Sequence, residues 1–327
     1  MNVLMASDEN YVFLLGTSLH SLFNTNRNVD VLNIYIIADG ITDASKHKLD
    51  KMAETFGRKL IYLVPPKMDS EIVVKGSLNI STYYRLKIST LLPDSIDKLL
   101  YLDCDTLIRG SLLELWHTNI EDYLLAGVID TTGKYARLSI ELQQEDSYIN
   151  AGIMLINLKK WRKENIEEKF FEYLKDKGYS VEFNDQGIIN HVCSSKTFLI
   201  NPKYDFMMPY ERYSRTQLLR ITQRVKFYNN KEIEEAKNNP IIVHYAGYAF
   251  NRPWFKNAKG KYIGEFIFAM RQSGFYIEPK TQPNSFKFYL RNFANSLPND
   301  LSIFMNKLID FAYIVSIRFK ELRKKNC

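Results

Sequence analysis

Two aspartates one residue apart close the apolar run "KLLYLDCDTLIRG" at residues 98–110. A carboxylate beside Leu99, Leu100, Tyr101 and Leu102 is costly unless something positive compensates it. On a strand, residues i and i+2 share a face about 6.6 Å apart, so Asp103 and Asp105 are expected to point together while Cys104 turns into the apolar layer. Two such carboxylates repel each other, and a divalent cation relieves the repulsion. His244, one of five histidines, closes the apolar stretch "PIIVHYAG" (240–247) and is the third candidate ligand. Two carboxylates and an imidazole suit Mn²⁺ better than Mg²⁺ or Ca²⁺, which prefer oxygen alone; Mn²⁺ is the expected ion and Mg²⁺ the alternative. Taken alone, an Asp-x-Asp triplet is common by chance, and a single histidine in an apolar strand is commonly a hydrogen-bonded core residue. The segment that follows, "RGSLLELW", supplies Gly110 as a turn and Ser111 with Glu114 as a capping box.

The elements that would carry these residues are short apolar runs separated by amphipathic stretches. Strands are expected in "VLMAS" (3–7), "VLNIYIIAD" (31–39), "KLIYLV" (59–64), "KLLYLDC" (98–104), "LLAGVID" (124–130), "AGIMLINL" (151–158) and "PIIVHYAG" (240–247). Helices are expected after the first strand, with Leu15, Ser18, Leu19 and Leu22 on one face, around 43–56, and over "STYYRLKISTLLP" (81–93), ended by Pro93. Strands that are apolar throughout and alternate with helices predict an α/β fold with a doubly wound, mostly parallel sheet. Ligands of such sheets bind beyond the carboxyl ends of the strands. Asp8, Asn10, Asp103, Asp105, Asp130 and His244 all fall at those ends. No GxGxxG fingerprint and no GxxxxGK[ST] loop occurs, which disfavours a dinucleotide dehydrogenase or a P-loop enzyme.

Of the 327 residues, 46% are hydrophobic and 25% charged, the balance of an ordinary globular protein. The net charge of +7 is uneven: residues 286–327 hold eight Lys/Arg against three Asp/Glu, so +5 of it lies there. Cys104, Cys193 and Cys327 form no CxxC pair, which suits a reducing compartment. No signal peptide and no apolar run of about 20 residues is visible, so a cytoplasmic protein is expected. Three regions are expected: a body at 1–260, a linker at 261–285 and a basic tail at 286–327. In the tail, Ile303, Phe304, Leu308, Phe311, Ile314, Val315 and Phe319 recur near helical spacing before "RFKELRKK". That pattern suits a helix lying in an anionic membrane surface, placing the protein peripherally on the inner face of the cytoplasmic membrane. The competing reading is a C-terminal helix packed on the body.

Several ordered blocks resemble glycosyltransferase family eight, the retaining enzymes that include bacterial lipopolysaccharide α-galactosyl- and α-glucosyltransferases. They are "ASDENY" (6–11), "STYYRLKI" (81–88), "KLLYLDCDTLIRGSLLELW" (98–116), "GVID" (127–130), "YINAGIMLINLKKWR" (148–162), "FNDQGIIN" (183–190) and "HYAG…RPW" (244–254). The resemblance implies a nucleotide-diphospho-sugar transferase fold, a UDP-sugar donor, a glycan or glycolipid acceptor and bound Mn²⁺, with no nucleic-acid partner. It implies that Ala6, Asp8 and Asn10 hold uridine, and that Asp103, Asp105 and His244 hold the metal. Arg85, Asn150, Asp185 and Gln186 would surround the donor sugar, Gly247 would approach the diphosphate, and Asp130 would face the acceptor hydroxyl.

Two departures from the family pattern matter. Where the family has a lysine in G-x-x-K-P-W, this chain reads "GYAFNRPW" with Arg252 in the matching place; arginine can grip phosphate bidentately. The family's D-Q-D reads Asp185-Gln186-Gly187, so a double displacement on a carboxylate there is not available. Retention is then expected from front-face attack, with the leaving phosphate as base and Gln186 as a positioner. Two other classes remain to be weighed, a nucleotidyltransferase that makes UDP-sugars and a non-catalytic nucleotide-sugar-binding protein. The stretch "YDFMMPYERYSRTQLLRITQR" (204–224) is expected to help shape the acceptor side.

Overall fold

The computed structural model describes residues 1–325 apart from 77–78, 144, 248–250 and 283–284, and side chains other than those of 287 and 313–325. Seven strands form the main sheet: β1 (Asn2–Asp8), β2 (Asn33–Asp39), β3 (Leu60–Leu63), β4 (Lys98–Leu102), β6 (Leu125–Gly127), β7 (Ile153–Asn157) and β8 (Thr197–Leu199), in the order β3-β2-β1-β4-β7-β6-β8. All neighbours run parallel except β7, which is antiparallel to both β4 and β6. Two further strands, β5 (Thr106–Ile108) and β9 (Ile242–His244), pair antiparallel beside it.

The apolar character of each strand follows from burial on both faces. Val3 and Met5 point into one layer with Leu15, Leu19 and Leu22 of α1 (Val12–Thr25) and Leu49 and Met52 of α2 (Asp43–Glu54). Leu4 points into the other with Leu99, Tyr101, Ile156 and Phe170, the last from α3 (Ile166–Asp176). The doubly wound, mostly parallel architecture is the one expected.

Several local expectations change. Residues 80–87 form a 3₁₀ helix followed by one α-turn at 88–91, not one α-helix. Tyr83, Tyr84, Arg85 and Leu86 are all buried, so the segment lacks the solvent stripe an amphipathic α-helix keeps. The capping box at Ser111 does not form: Ser111 Oγ accepts from Leu113 N at 3.3 Å, while Glu114 pairs with Lys203 Nζ at 3.2 Å.

Residues 261–285, expected to be a linker, hold α6 (Ile263–Gln272), labelled after α4 (Asn184–Cys193) and α5 (Arg215–Thr222). Phe266 and Met270 of α6 are fully buried, and the Phe275 ring packs against the α1 backbone at Gly16. The body therefore runs past residue 260 because this helix completes the core over α1.

The C-terminal region is helical, as expected: α7 (Phe286–Ser296) and α8 (Asn299–Lys325) form a hairpin. Polar contacts root it on the body. Arg212 donates to Leu297 O at 2.7 Å and to Asn299 Oδ1 at 3.0 Å, and Arg220 pairs with Asp300 at 2.9 Å. Within the hairpin Arg291 pairs with Asp310 and bonds Asn306 Oδ1 at 2.8 Å. Ile303, expected on the outer stripe, is buried at this root, whereas Ile314, Val315 and Phe319 lie outside the described side chains. No described helix is long and apolar enough to cross a membrane.

Candidate active site

Asp103 and Asp105 lie in the turn between β4 and β5, not on the strand itself. They still face one ion-sized space, because the turn returns the chain into β5 and pairs it with β9. Thr106 stands opposite His244, and Tyr245 N donates to Asp105 O at 2.9 Å. His244 Nε2 ends 3.3 Å from Asp105 Oδ1 and 3.9 Å from Asp103 Oδ2. Ligand atoms of the three residues all lie within 4.8 Å of one another. Cys104 turns inward as expected, its thiol donating to Ala6 O at 3.1 Å.

Charge balances the cluster. Burial raises the Asp103 carboxyl, against the pull of Arg85 and His244. Burial also opposes ionisation of Asp105, but the His244 imidazole and Arg252 hold it below the usual carboxylate range. Burial disfavours a charged His244, yet Asp205 and Asp105 raise it well above the ordinary histidine value. The imidazole thus sits among three acids, Asp103, Asp105 and Asp205, an arrangement that favours positive charge at this point.

The space is also shaped. A Cβ at Gly152 would overlap His244 Cε1 and stand 2.8 Å from Asp103 Oδ2, so only glycine lets the imidazole swing this close. The donor set, its reach and this cradle fit a divalent cation of the Mn²⁺ kind.

Arg85 is the second anchor. Its guanidinium is held by Asp103 Oδ1 at 2.8 Å, Asp185 Oδ2 at 3.1 Å and Ala151 O at 2.6 Å, and it lies over the Tyr101 ring at 4.3 Å. Burial pushes the Asp185 carboxyl up to about 6, against the opposing pull of Arg85.

Asp185 and Gln186 open α4, while Asn150 and Gly152 sit just before β7. Because β7 is antiparallel, its start lies on the same rim as the ends of β1, β4 and β6. Asn150 Nδ2 and Gln186 Nε2 both donate to Asp130 Oδ2, at 3.0 and 3.2 Å, and Thr132 N donates to Oδ1 at 2.8 Å. Gln186 Nε2 also reaches Tyr148 OH at 3.1 Å, and its Oε1 accepts from Ala151 N at 3.1 Å. Both ends of the amide are thus engaged in hydrogen bonds. At Gly187 a Cβ would overlap Glu182 O, so this backbone has no room for a carboxylate there.

A cleft of about 220 Å³ opens beside the cluster, lined by Ala6, Asp8, Tyr11, Asn79, Arg85, Asp103, Asp105, Arg252 and Trp254 among others. Asp8 is doubly engaged, accepting from Tyr11 N at 3.1 Å and Asn79 Nδ2 at 3.0 Å. Asn10, expected in the same group, is exposed and does not line the cleft. Gly247 follows β9 with φ +96°, and beyond its chain neighbours no atom of the described residues lies within 4 Å of the place a Cβ would take. A larger hollow of about 380 Å³ under residues 66–80 is lined by Met68, Ile72, Val74 and Tyr84, with Asp69 its one carboxylate, and is not the chemical centre.

Sequence reasoning missed Tyr11, Asn79, Trp254 and Asp205. Asp205 lies inside the aromatic, basic stretch 204–224, where no local signal sets it apart. That stretch buttresses the loop bearing Asp130: Tyr210 OH donates to Ile129 O at 2.7 Å, and Arg224 donates to Tyr148 O at 3.1 Å.

Residues 2–258 match the family model described as glycosyl transferase family 8. The chain belongs to this family. Among its relatives, General stress protein A of Bacillus subtilis is 28% identical over 277 residues, covering 83% of this chain and 93% of the relative. A lipopolysaccharide 1,2-glucosyltransferase of Escherichia coli is 28% identical over 259 residues, covering 77% and 73%. The solved structure of the galactosyltransferase LgtC with donor and acceptor sugar analogs is 24% identical with a TM-score of 0.70, covering 87% of this chain and 98% of that one. The family fold is thus the one this chain adopts, and a glycosyl transferase is the class of enzyme it represents.

Proposed function

We propose that the protein is a retaining, Mn²⁺-dependent hexosyltransferase. It moves galactose or glucose from a UDP-sugar to a hydroxyl of a bacterial surface glycan of the lipopolysaccharide or capsule type. The observation that carries the reading is the meeting of Asp103, Asp105 and His244 around one cradle at the mouth of the cleft. Asp103, Asp105 and His244 would hold the ion, which supplies charge stabilisation to the departing diphosphate. Arg252, lining the cleft with its guanidinium 5.6 Å from the Trp254 ring, adds a second positive group on that side.

Ala6 and Asp8 are assigned to the nucleoside, together with Tyr11, which lines the cleft and is exposed; Asn10, which does not line the cleft, drops out of the uridine assignment. Arg85, Asn150 and Asp185 border the sugar, and Gly247 leaves room for the diphosphate. Asp130, held in one rotamer by Asn150 and Gln186, faces the incoming hydroxyl. With no carboxylate possible at Gly187, sugar transfer with retention proceeds by front-face attack. The hydroxyl proton passes to the departing phosphate, and Gln186 keeps Asp130 and Ala151 in place.

The test is UDP release from a panel of UDP-sugars with Mn²⁺ and no acceptor. Slow release, faster with one hexose and abolished by chelation, is the expected result. Pyrophosphate from UTP and a sugar-1-phosphate would instead indicate a nucleotidyltransferase, and tight UDP-sugar binding without release a binding protein.

The tail hairpin is the proposed membrane contact, which keeps the enzyme peripheral on the inner face of the cytoplasmic membrane near glycolipid acceptors. Phe286, Tyr289 and Phe293 on α7, and Leu301, Phe304, Leu308 and Phe311 on α8, recur at three- to four-residue spacing and are all exposed. The region's +5 charge complements anionic lipid. Each buried phenylalanine is worth about 1.5–3 kcal/mol, so Phe293→Asp, Phe304→Asp and Phe311→Asp together should lower partitioning onto anionic vesicles by on the order of 100-fold or more. Donor hydrolysis should be unchanged. Unaltered co-sedimentation with the vesicles would reject the assignment.

A further inference from the structure

His244 has a second nitrogen, and the structure shows what occupies it. Asp205 is fully buried, and its Oδ1 lies 2.8 Å from His244 Nδ1. Its other oxygen, Oδ2, has no hydrogen-bond partner among the described residues. No lysine or arginine pairs with it among the described residues, so the imidazole is the only positive group within ion-pair distance. A carboxylate in this position is costly to bury.

The segment does not need that carboxylate to stay in place. Phe206 is bridged to β9 through its backbone: Phe206 N donates to Ile242 O at 2.9 Å, and His244 N donates to Phe206 O at 3.1 Å. The main chain therefore delivers Asp205 behind His244 independently of the side-chain contact. What the side chain adds is a carboxylate oxygen 2.8 Å from Nδ1.

We propose that Asp205 is the positioning residue of the metal centre, accepting the Nδ1 hydrogen of His244 so that Nε2 presents its lone pair to the cation between Asp103 and Asp105. This deepens the metal reading above and rests on it. A carboxylate on the far side of a ligating imidazole sets the tautomer, locks the ring plane and makes the ligating nitrogen more basic; removing such a partner typically weakens metal affinity about 10–100-fold. Gly152 leaves the ring room in front while Asp205 contacts it from behind.

The test compares Mn²⁺ uptake by the full chain and by Asp205→Asn in the presence of UDP, read from the electron paramagnetic resonance signal of free Mn²⁺. The expected result is a 10–100-fold weaker Kd for Asp205→Asn, with the ultraviolet circular dichroism unchanged and most UDP release restored at saturating Mn²⁺. A Kd within about threefold of the parent would overturn the role of Asp205 while leaving the metal site standing. A parent chain that takes up no Mn²⁺ would overturn both. Should Asp205→Asn fail to fold, nitrogen-15 spectra of histidine in the parent chain loaded with Cd²⁺ decide the matter. Hydrogen on Nδ1 and metal on Nε2 support the proposal, and the reverse arrangement overturns it.

Discussion

Asp105→Ala is expected to lower metal-dependent UDP release by on the order of 10³-fold while leaving the fold intact. An ion that neutralises a leaving diphosphate contributes several kcal/mol to the transition state, and each 1.36 kcal/mol is tenfold in rate. Asp105 makes its one side-chain ion pair with His244, among the described residues. Its removal therefore strands no buried arginine, and the thermal midpoint should move by only a few degrees. Asp103→Ala should abolish turnover as completely but cost stability too, because Arg85 then keeps only Asp185 as counter-ion among the described residues. Breaking one side of a buried pair typically costs about 3–5 kcal/mol. His244→Ala likewise removes a ligand and leaves the buried Asp205 side chain without a hydrogen-bond partner among the described residues. Rates near those of the parent in either Asp105→Ala or His244→Ala, measured as UDP release at saturating Mn²⁺, would refute the ligand assignment.

The substitution of a single hydrogen by a methyl group at Gly152 should have nearly as large an effect. The Cβ of Gly152→Ala would occupy the volume of His244 Cε1 and crowd Asp103 Oδ2 and Asn150 Oδ1. The imidazole is hemmed in behind by Asp205, so it cannot retreat without breaking that contact. Either the ring rotates off its ligating geometry or the start of β7 shifts, carrying Asn150 away from Asp130. Both routes lower turnover, and we expect a loss on the order of 10²-fold or more, since small misplacements of reacting groups cost about that much. Weak Mn²⁺ uptake would identify the first route. Normal uptake with slow sugar transfer would identify the second. Full activity in Gly152→Ala would show that the cradle is not built as described.

Much of this arrangement was legible along the chain. Val3, Leu4 and Met5, or Leu99 to Leu102, announce a strand buried on both faces because burial on alternate sides leaves no polar position. Acids at the ends of such strands fall on one rim of the sheet, so the sequence alone groups Asp8, Asp103 and Asp130. The helix expected over 81–93 and the linker expected over 261–285 differ from the structure for one reason. Local spacing cannot show that Arg85 is wanted in the interior, or that Phe266, Met270 and Phe275 must cover α1. The family resemblance implies that Asn10 holds uridine with Ala6 and Asp8, but Asn10 lies exposed in a 3₁₀ turn.

What the amino-acid order determined alone is the layered α/β body, the acid pair, the family and the basic, aromatic character of the tail. These follow from periodicity, composition and short motifs, all of which are properties of neighbouring residues. What only the tertiary structure decided is the reversed direction of β7, the pairing of β9 with β5, the glycine cradle and the carboxylate behind His244. Each joins segments remote in sequence, and such contacts arise from the packing of whole elements, which no local pattern encodes.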